Sequence, residues 1–408
     1  MADFYDVLEA AEPALREAAL FTRLQHALAR AVNELPVWSE KLSGIDLSTV
    51  TNRSELSRLP ILRKSALPSL QQQKPPYGGF NATDTGALAR LFISPGPIFD
   101  PEGHGRDWWG SARALYAAGV RKGDVVLNTF SYHLTPAGAM FESGAHALGC
   151  AVIPAGPGNT ADQLAAIAQY LPGTYVGTPD FLKILLDKAA ETGGNVSSLK
   201  RALVSGAALP ASLRDELENR GVAVRQCYGT ADLGIIAYEG GASGMVINEG
   251  IILEIVRPGT GESLPHGEVG EIVITRVNRD YPLFRFATGD LSCIIDEPSP
   301  DGRTNLRIKG WLGRADQTTK VKGMFVRPEQ IAAVAKSISA AGRLRLVVTR
   351  ADEQDAMTLM VEQHDAGDAD YIAKKLFETT KLRGKVEIVM PGTLPNDGKV
   401  ISDERKYD

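Results

Sequence analysis

The sequence has no excess of basic charge: 44 Lys and Arg stand against 49 Asp and Glu, a formal net charge of −5. A protein whose main partner is nucleic acid draws its affinity from clustered cations that neutralise phosphates, so that class is excluded as the primary function. Cysteine is scarce. Cys150, Cys227 and Cys293 lie far apart and form no CxxC pair, which excludes a disulfide framework and a zinc cluster and leaves three buried, unreactive thiols as the expectation. No apolar run approaches the roughly 18 residues of a membrane span, and the acidic start Met1-Ala2-Asp3-Phe4-Tyr5-Asp6 lacks the basic-then-apolar order of a signal peptide. A cytoplasmic location with no membrane partner is expected.

What is present is ordinary globular usage, 44% hydrophobic and 23% charged residues, so the fold must come from packing. At roughly 150 residues per domain the chain allows two or three domains. Residues 1 to about 80 read as helices and loops, with Leu15, Leu20, Leu24, Ala27 and Val32 at helical spacing and nothing that suggests chemistry. From about 90 to 230, short runs such as Val125-Val126-Leu127, Thr174-Tyr175-Val176 and Ala202-Leu203-Val204 alternate with amphipathic stretches at Ala137 to Leu148, Thr160 to Tyr170, Pro179 to Glu191 and Pro210 to Arg220. Such alternation predicts a parallel sheet covered by helices. Strands with tight turns then take over between about 245 and 310, which predicts an antiparallel sheet or small barrel appended to the first. After Gly313-Arg314-Ala315-Asp316 the pattern resets to α-β-β-α-β. The expected fold is therefore α/β: a large N-terminal domain, residues 1–314, and a small α+β C-terminal domain, residues 315–408.

The 41 glycines concentrate interest at strand ends, where open α/β sheets place ligands. Four stretches stand out: Ser94-Pro95-Gly96-Pro97, Tyr228-Gly229-Thr230-Ala231-Asp232, Thr288-Gly289-Asp290, and Gly310-Trp311-Leu312-Gly313-Arg314-Ala315-Asp316, followed by Lys322-Gly323 and a terminal Gly398-Lys399. Taken singly, each has the simpler reading of turn chemistry. Their order resembles the adenylate-forming superfamily of acyl-CoA synthetases. Pro76-Tyr77-Gly78-Gly79-Phe80, Ile153-Pro154-Ala155-Gly156-Pro157-Gly158 and Tyr281-Pro282-Leu283-Phe284-Arg285 resemble its phenylacetate–CoA ligase branch.

The resemblance implies activation of a carboxylic acid, aromatic and phenylacetate-like, by ATP to an acyl-adenylate, then transfer to coenzyme A. In it Tyr228 lies against adenine, Asp290 accepts the ribose hydroxyls, Arg314 donates to ribose or phosphate, and Asp232 stands where the family usually has Glu to hold Mg2+. Ser94, Gly96, Ala207, Gly229, Thr230 and Gly323 complete the expected cofactor contacts. Tyr132, Ala207 and Ile236 line an expected acid pocket, Asp316 is the hinge, and Lys399 is the catalytic cation of the first half-reaction. The expected partners are the acid and coenzyme A or a carrier protein; a homodimer is left open.

One segment departs from the family. Where a hydroxyl- and glycine-rich loop ending in lysine is usual, Ser94 to Gly103 has one hydroxyl, three prolines, two acids and no lysine. Proline offers no N–H, and Asp100 and Glu102 repel phosphate if they face it. Two outcomes fit: a ligase relying on Ser94, Gly96 and remote cations such as Arg106, or a degenerate homologue that binds a nucleotide or acyl thioester without ligating it.

Overall fold

Aliphatic and β-branched runs at Val125–Asn128, Ala151–Pro154, Thr174–Gly177, Arg201–Val204 and Ala223–Thr230 make the parallel half of a nine-stranded sheet. The computed structural model in which they are seen describes residues 3–312, 314–315, 319–338, 342–351, 354–363, 368–394 and 400–405. Period-2 alternation sends neighbouring side chains to opposite faces. Val126, Val176 and Leu203 pack with helix Ala137–Leu148 on one side, whereas Leu127, Tyr175, Ala202 and Val204 pack with helices Pro179–Thr192 and Ala211–Asn219 on the other. Both faces are thus covered, as the near-continuous hydrophobic runs require.

Strand Ala223–Thr230 is where the sheet changes character. It pairs in parallel with Arg201–Val204 on one edge and antiparallel with Gly234–Glu239 on the other, with a register irregularity between Tyr228 and Gly229. Met245–Ile247, Arg307–Ile308 and Ile294–Ile295 continue that antiparallel half. The rest of the β-rich region forms a separate four-stranded sheet in the order Leu62–Arg63, Leu283–Ser292, Gly270–Arg276, Ile251–Val256. The expected mixture of a helix-covered parallel sheet and antiparallel β structure is what the chain adopts.

The first 80 residues are helical as expected, except for the two-residue strand Leu62–Arg63, which pairs in parallel with Phe286 and Ala287. Arg285 fastens the two regions together. Its buried guanidinium meets Glu254 through two contacts of 3.1 Å and donates to the carbonyls of Ser57, Leu59 and Gly261 at 2.6, 2.6 and 2.9 Å. The strand Leu283–Ser292, which carries Thr288-Gly289-Asp290, is thereby locked to the N-terminal region.

The chain divides into two units, Met1–Leu312 and Gly313–Asp408. In the second, strands Lys385–Val389, Gln354–Glu362, Leu344–Ala351 and Ile401–Asp403 form a sheet in that order, next to helices Pro328–Ser337 and Ala369–Thr380 and a hairpin of Thr319–Val321 with Met324–Val326. The α-β-β-α-β order read from the sequence is present, with the short last strand and the hairpin added. Among the described residues no helix is long and apolar enough to cross a membrane.

Candidate active site

Tyr228 and Asp290, 62 residues apart in the chain, meet at the ends of their strands. The Tyr228 hydroxyl donates to Asp290 Oδ2 at 2.7 Å and the Trp311 indole Nε1 donates to Oδ1 at 3.0 Å. Each carboxylate oxygen thus holds a neutral donor of known direction, the arrangement a diol would need to replace donor for donor. Thr288-Gly289-Asp290, expected as a tight turn, lies inside strand Leu283–Ser292 at a register irregularity; Gly289 takes φ +77, a left-handed conformation that glycine adopts without strain, and the Thr288 hydroxyl accepts from the Asp290 amide at 3.1 Å. Gly229 is required by close approach: a Cβ there would lie 2.6 Å from the Gly234 carbonyl oxygen.

Beyond Gly229 the turn carries unsatisfied polar atoms. Thr230 Oγ1 and Asp232 Oδ1 are buried without a hydrogen-bond partner. Asp232 Oδ2 is engaged by Lys64 Nζ at 2.5 Å, from a segment 168 residues earlier. Burial would lower the lysine pKa, but Asp232, Asp100 and Asp290 outweigh it and hold the ammonium above its usual value. Lys64 lies in the region where the sequence showed no chemistry. A lone lysine in a helix–loop stretch carries no motif, and only the two-residue strand beside it could have pointed here.

The atypical Ser94 segment is a β-hairpin. Strands Arg90–Ser94 and Ile98–Glu102 pair from Arg90↔Glu102 to Ser94↔Ile98, leaving a Pro95-Gly96-Pro97 turn. Ser94 is buried, and its hydroxyl reaches the Ile98 carbonyl only at 3.4 Å. Gly96 fits the turn tightly, since a Cβ would come 2.7 Å from Ile98 Cγ1. Glu102 is neutralised by Arg90 at 3.1 Å across the hairpin. Asp100 instead turns inward, cross-strand from Phe92, fully buried, and neither carboxylate oxygen has a well-formed hydrogen bond. Burial first, and the nearby Asp232 second, push its pKa well above the usual carboxylate range, against the Ser94 hydroxyl and Lys64. Arg106, a candidate phosphate cation, donates instead to the Ala147 carbonyl.

Of the expected acid-pocket residues, Tyr132 is half-buried with its hydroxyl accepting from Asn128 Nδ2 at 2.8 Å, Ile236 is fully buried in the core that also holds Tyr228, and Ala207 is exposed. In the second unit, Arg314 is half-buried and Gly323 occupies the hairpin turn at φ +83. Asp316 and Lys399 lie outside the described residues.

Comparison with known proteins places the chain among enzymes that activate acids with ATP. The family model described as AMP-binding enzyme matches residues 107–278. A phenylacetate–coenzyme A ligase of Thermus thermophilus is 28% identical over 91% of this chain and 92% of its own length. A phenylacetate–coenzyme A ligase of Pseudomonas putida is 30% identical over 78% and 74%. Among solved structures, a 2-hydroxyisobutyryl-CoA ligase in complex with 2-HIB-AMP and CoA superposes with a TM-score of 0.81 over 98% of this chain and 92% of its own, at 24% identity, and has the same fold. The class is that of adenylate-forming, AMP-binding enzymes. Within it, the chain belongs to the phenylacetate–CoA ligase-like family of acyl-CoA synthetases.

Proposed function

We propose that this protein is an AMP-forming acid–thiol ligase: ATP and a carboxylic acid give an acyl-adenylate and pyrophosphate, and coenzyme A then displaces AMP to give the thioester. The observation that carries the reading is the meeting of Tyr228, Trp311 and Asp290 at the strand ends, a preformed acceptor for a ribose diol. The relatives named for coenzyme A favour free coenzyme A over a carrier-borne thiol, and ligation over a degenerate binding role.

In this reading Tyr228 and Gly229 flank adenine, Ala207 lies beside it, and Thr230 offers its unsatisfied hydroxyl to a phosphate. Magnesium fits the donors at Asp232, a hard carboxylate with one oxygen unsatisfied; bound there it would screen phosphate charge. Arg314 donates to the ribose or phosphate with its fixed fork. Lys399 bridges the carboxylate and α-phosphate during adenylation, and Asp316 is the hinge by which residues 315–408 exchange Lys399 for the Gly323 face in the thioester step. Tyr132, Ala207 and Ile236 border a slot for a flat acid of phenylacetate type.

The test is carboxylate-dependent ATP–pyrophosphate exchange across aromatic and aliphatic acids, followed by thioester formation with coenzyme A or a phosphopantetheinylated carrier. Exchange with an aryl acid and acylation of free coenzyme A are expected. No exchange with any acid, alongside tight nucleotide binding, overturns the reading.

A further inference from the structure

Residues Asp3–Ala11 run as a strap across the large unit, and nothing in the ligase reading uses them. Asp3 is bound by the Tyr116 hydroxyl and by Arg121, Tyr5 stands edge-on to the Tyr116 ring at 5.8 Å, and Asp6 pairs with Arg113. Glu9, on the single helical turn Val7–Ala10, is the one buried residue of the strap, and its carbonyl accepts from the Thr304 amide at 2.9 Å.

Beneath the strap a single hydroxyl serves two acids. Tyr238 Oη lies 2.8 Å from Glu9 Oε1 and 3.3 and 3.5 Å from the two oxygens of Glu249, and all three side chains are buried. A phenol has one proton to donate. If Glu9 receives it, the 3.3 Å contact is a hydrogen bond only when Glu249 carries a proton and donates it to the phenol oxygen. With both acids ionised, one contact sets oxygen against oxygen with no hydrogen between them, where charge is poorly screened. The surrounding cations are already engaged. Arg113, from helix Ala112–Ala117, meets Glu249 at 3.1 Å but is shared with Asp6, and Arg303 meets Glu9 at 3.5 Å but holds Asp301 more closely, at 2.6 Å. Arg16, from helix Pro13–Glu34, donates to the carbonyls of Leu8, Ala11 and Thr304 and to the Thr304 hydroxyl. Asp6, Glu9, Glu249 and Asp301 thus face Arg16, Arg113 and Arg303, and one proton balances the set.

We propose that Asp3–Ala11 is a proton-held strap: one proton shared by Glu9 and Glu249 through the Tyr238 hydroxyl keeps it closed, and loss of that proton as pH rises lets it open. Burial, opposed by Arg113 and assisted by Glu9, raises the Glu249 carboxyl to about 7. In the open strap the acids meet water and ionise in the usual carboxylate range. The proton's contribution is therefore fully present below that range and is lost as pH rises through about 7. The latch sits one strand from the candidate site, since Tyr238 pairs with Cys227, the residue before Tyr228.

Hydrogen–deuterium exchange of the full chain tests this, read on peptides covering Asp3–Ala11 and Thr304 and corrected for the intrinsic pH dependence of exchange. Protection of both is expected to fall about tenfold between pH 6 and pH 8.5. Glu249→Gln and Glu9→Gln each remove one negative charge from the pair, and with it the need for the proton, so in each variant protection should be flat over that range. Residues that only pack would lower protection without changing its pH dependence, and thermal unfolding at pH 6 checks the fold of each variant. Wild-type protection that does not change with pH, or a wild-type fall that persists in either variant, overturns the inference. Tyr228 and Asp290 take no part in the latch, so its failure leaves the ligase reading standing, and failure of that reading leaves the strap.

Discussion

At the Tyr228–Trp311 end of the candidate site both oxygens of Asp290 hold donors, at 2.7 and 3.0 Å, whereas at the hairpin end three oxygens of Asp100 and Asp232 are buried with none. The first end is a network in which each donor fixes the orientation of its acceptor, so a ligand enters by replacing donors already aimed at the right place. The second end carries charge without direction: two buried acids, one of them held by Lys64. On the ligase reading, a nucleoside would meet a preorganised end, whereas the other end offers buried charge without fixed direction. The family's fold is retained, and its two ends differ in how fully their buried carboxylates are satisfied.

The largest expected effect tests what makes the first end rigid. Arg285 sits on the strand that bears Asp290, and its buried pairing with Glu254 leaves an uncompensated charge if broken. Arg285→Met should cost about 3–5 kcal/mol of stability, read as a fall in the urea midpoint with little change in slope. Adding Glu254→Gln should recover part of the loss, because the stranded charge is then gone. If Arg285→Met is stable but ATP affinity collapses, the arginine acts on the site directly and the account of rigidity fails.

Asp290→Ala comes next. Removing the acceptor that both Tyr228 and Trp311 address should lower kcat/KM for ATP about 100- to 1,000-fold, measured by pyrophosphate exchange, with circular dichroism unchanged. A loss below tenfold would break the comparison, since the diol would then be held elsewhere.

Much of this molecule is legible in its sequence, and the reasons are local. Val125 to Val224 alternates strand and helix with a period that packing on both faces enforces, and the observed bounds agree within a few residues. The glycine of Thr288-Gly289-Asp290 is legible because a positive φ at residue 289 favours it, although the segment is an irregularity within strand Leu283–Ser292 and not the expected turn. Lys64 is not: its partner is 168 residues away, and two strand residues show no periodicity. The hairpin was legible in composition only. Three prolines predict a segment unable to wrap phosphates, but not that Asp100 points inward while Glu102 is paired with Arg90, because that depends on a register set by the turn.

Ser94→Ala sharpens the contrast from the weak side. The hydroxyl's contact with the Ile98 carbonyl is long, 3.4 Å, and the side chain is already buried. Exchange should change less than about twofold and stability by about 0.5 kcal/mol or less. A loss of tens-fold would mean that the hairpin grips phosphate as a conventional loop does.

The smallest expected effect is an absence of reaction. Cys227 precedes Tyr228 but points to the opposite face of the sheet, into the core with Phe92 and Trp109. Burial, with Glu239 adding to it, pushes its thiol up to about 12, against a hydrogen bond with Ser205. At pH 8 a thiol of that pKa is about one part in 10,000 thiolate, the form that reacts. Iodoacetamide at pH 8, followed by peptide mass spectrometry, should leave Cys227 unmodified in the native protein and modify it readily in urea, with native labelling rising only as the pH approaches 12. Native labelling at pH 8 comparable to the urea control would mean that water reaches the strand beneath Tyr228, and the dry, preorganised end of the site would no longer differ from the ionic one.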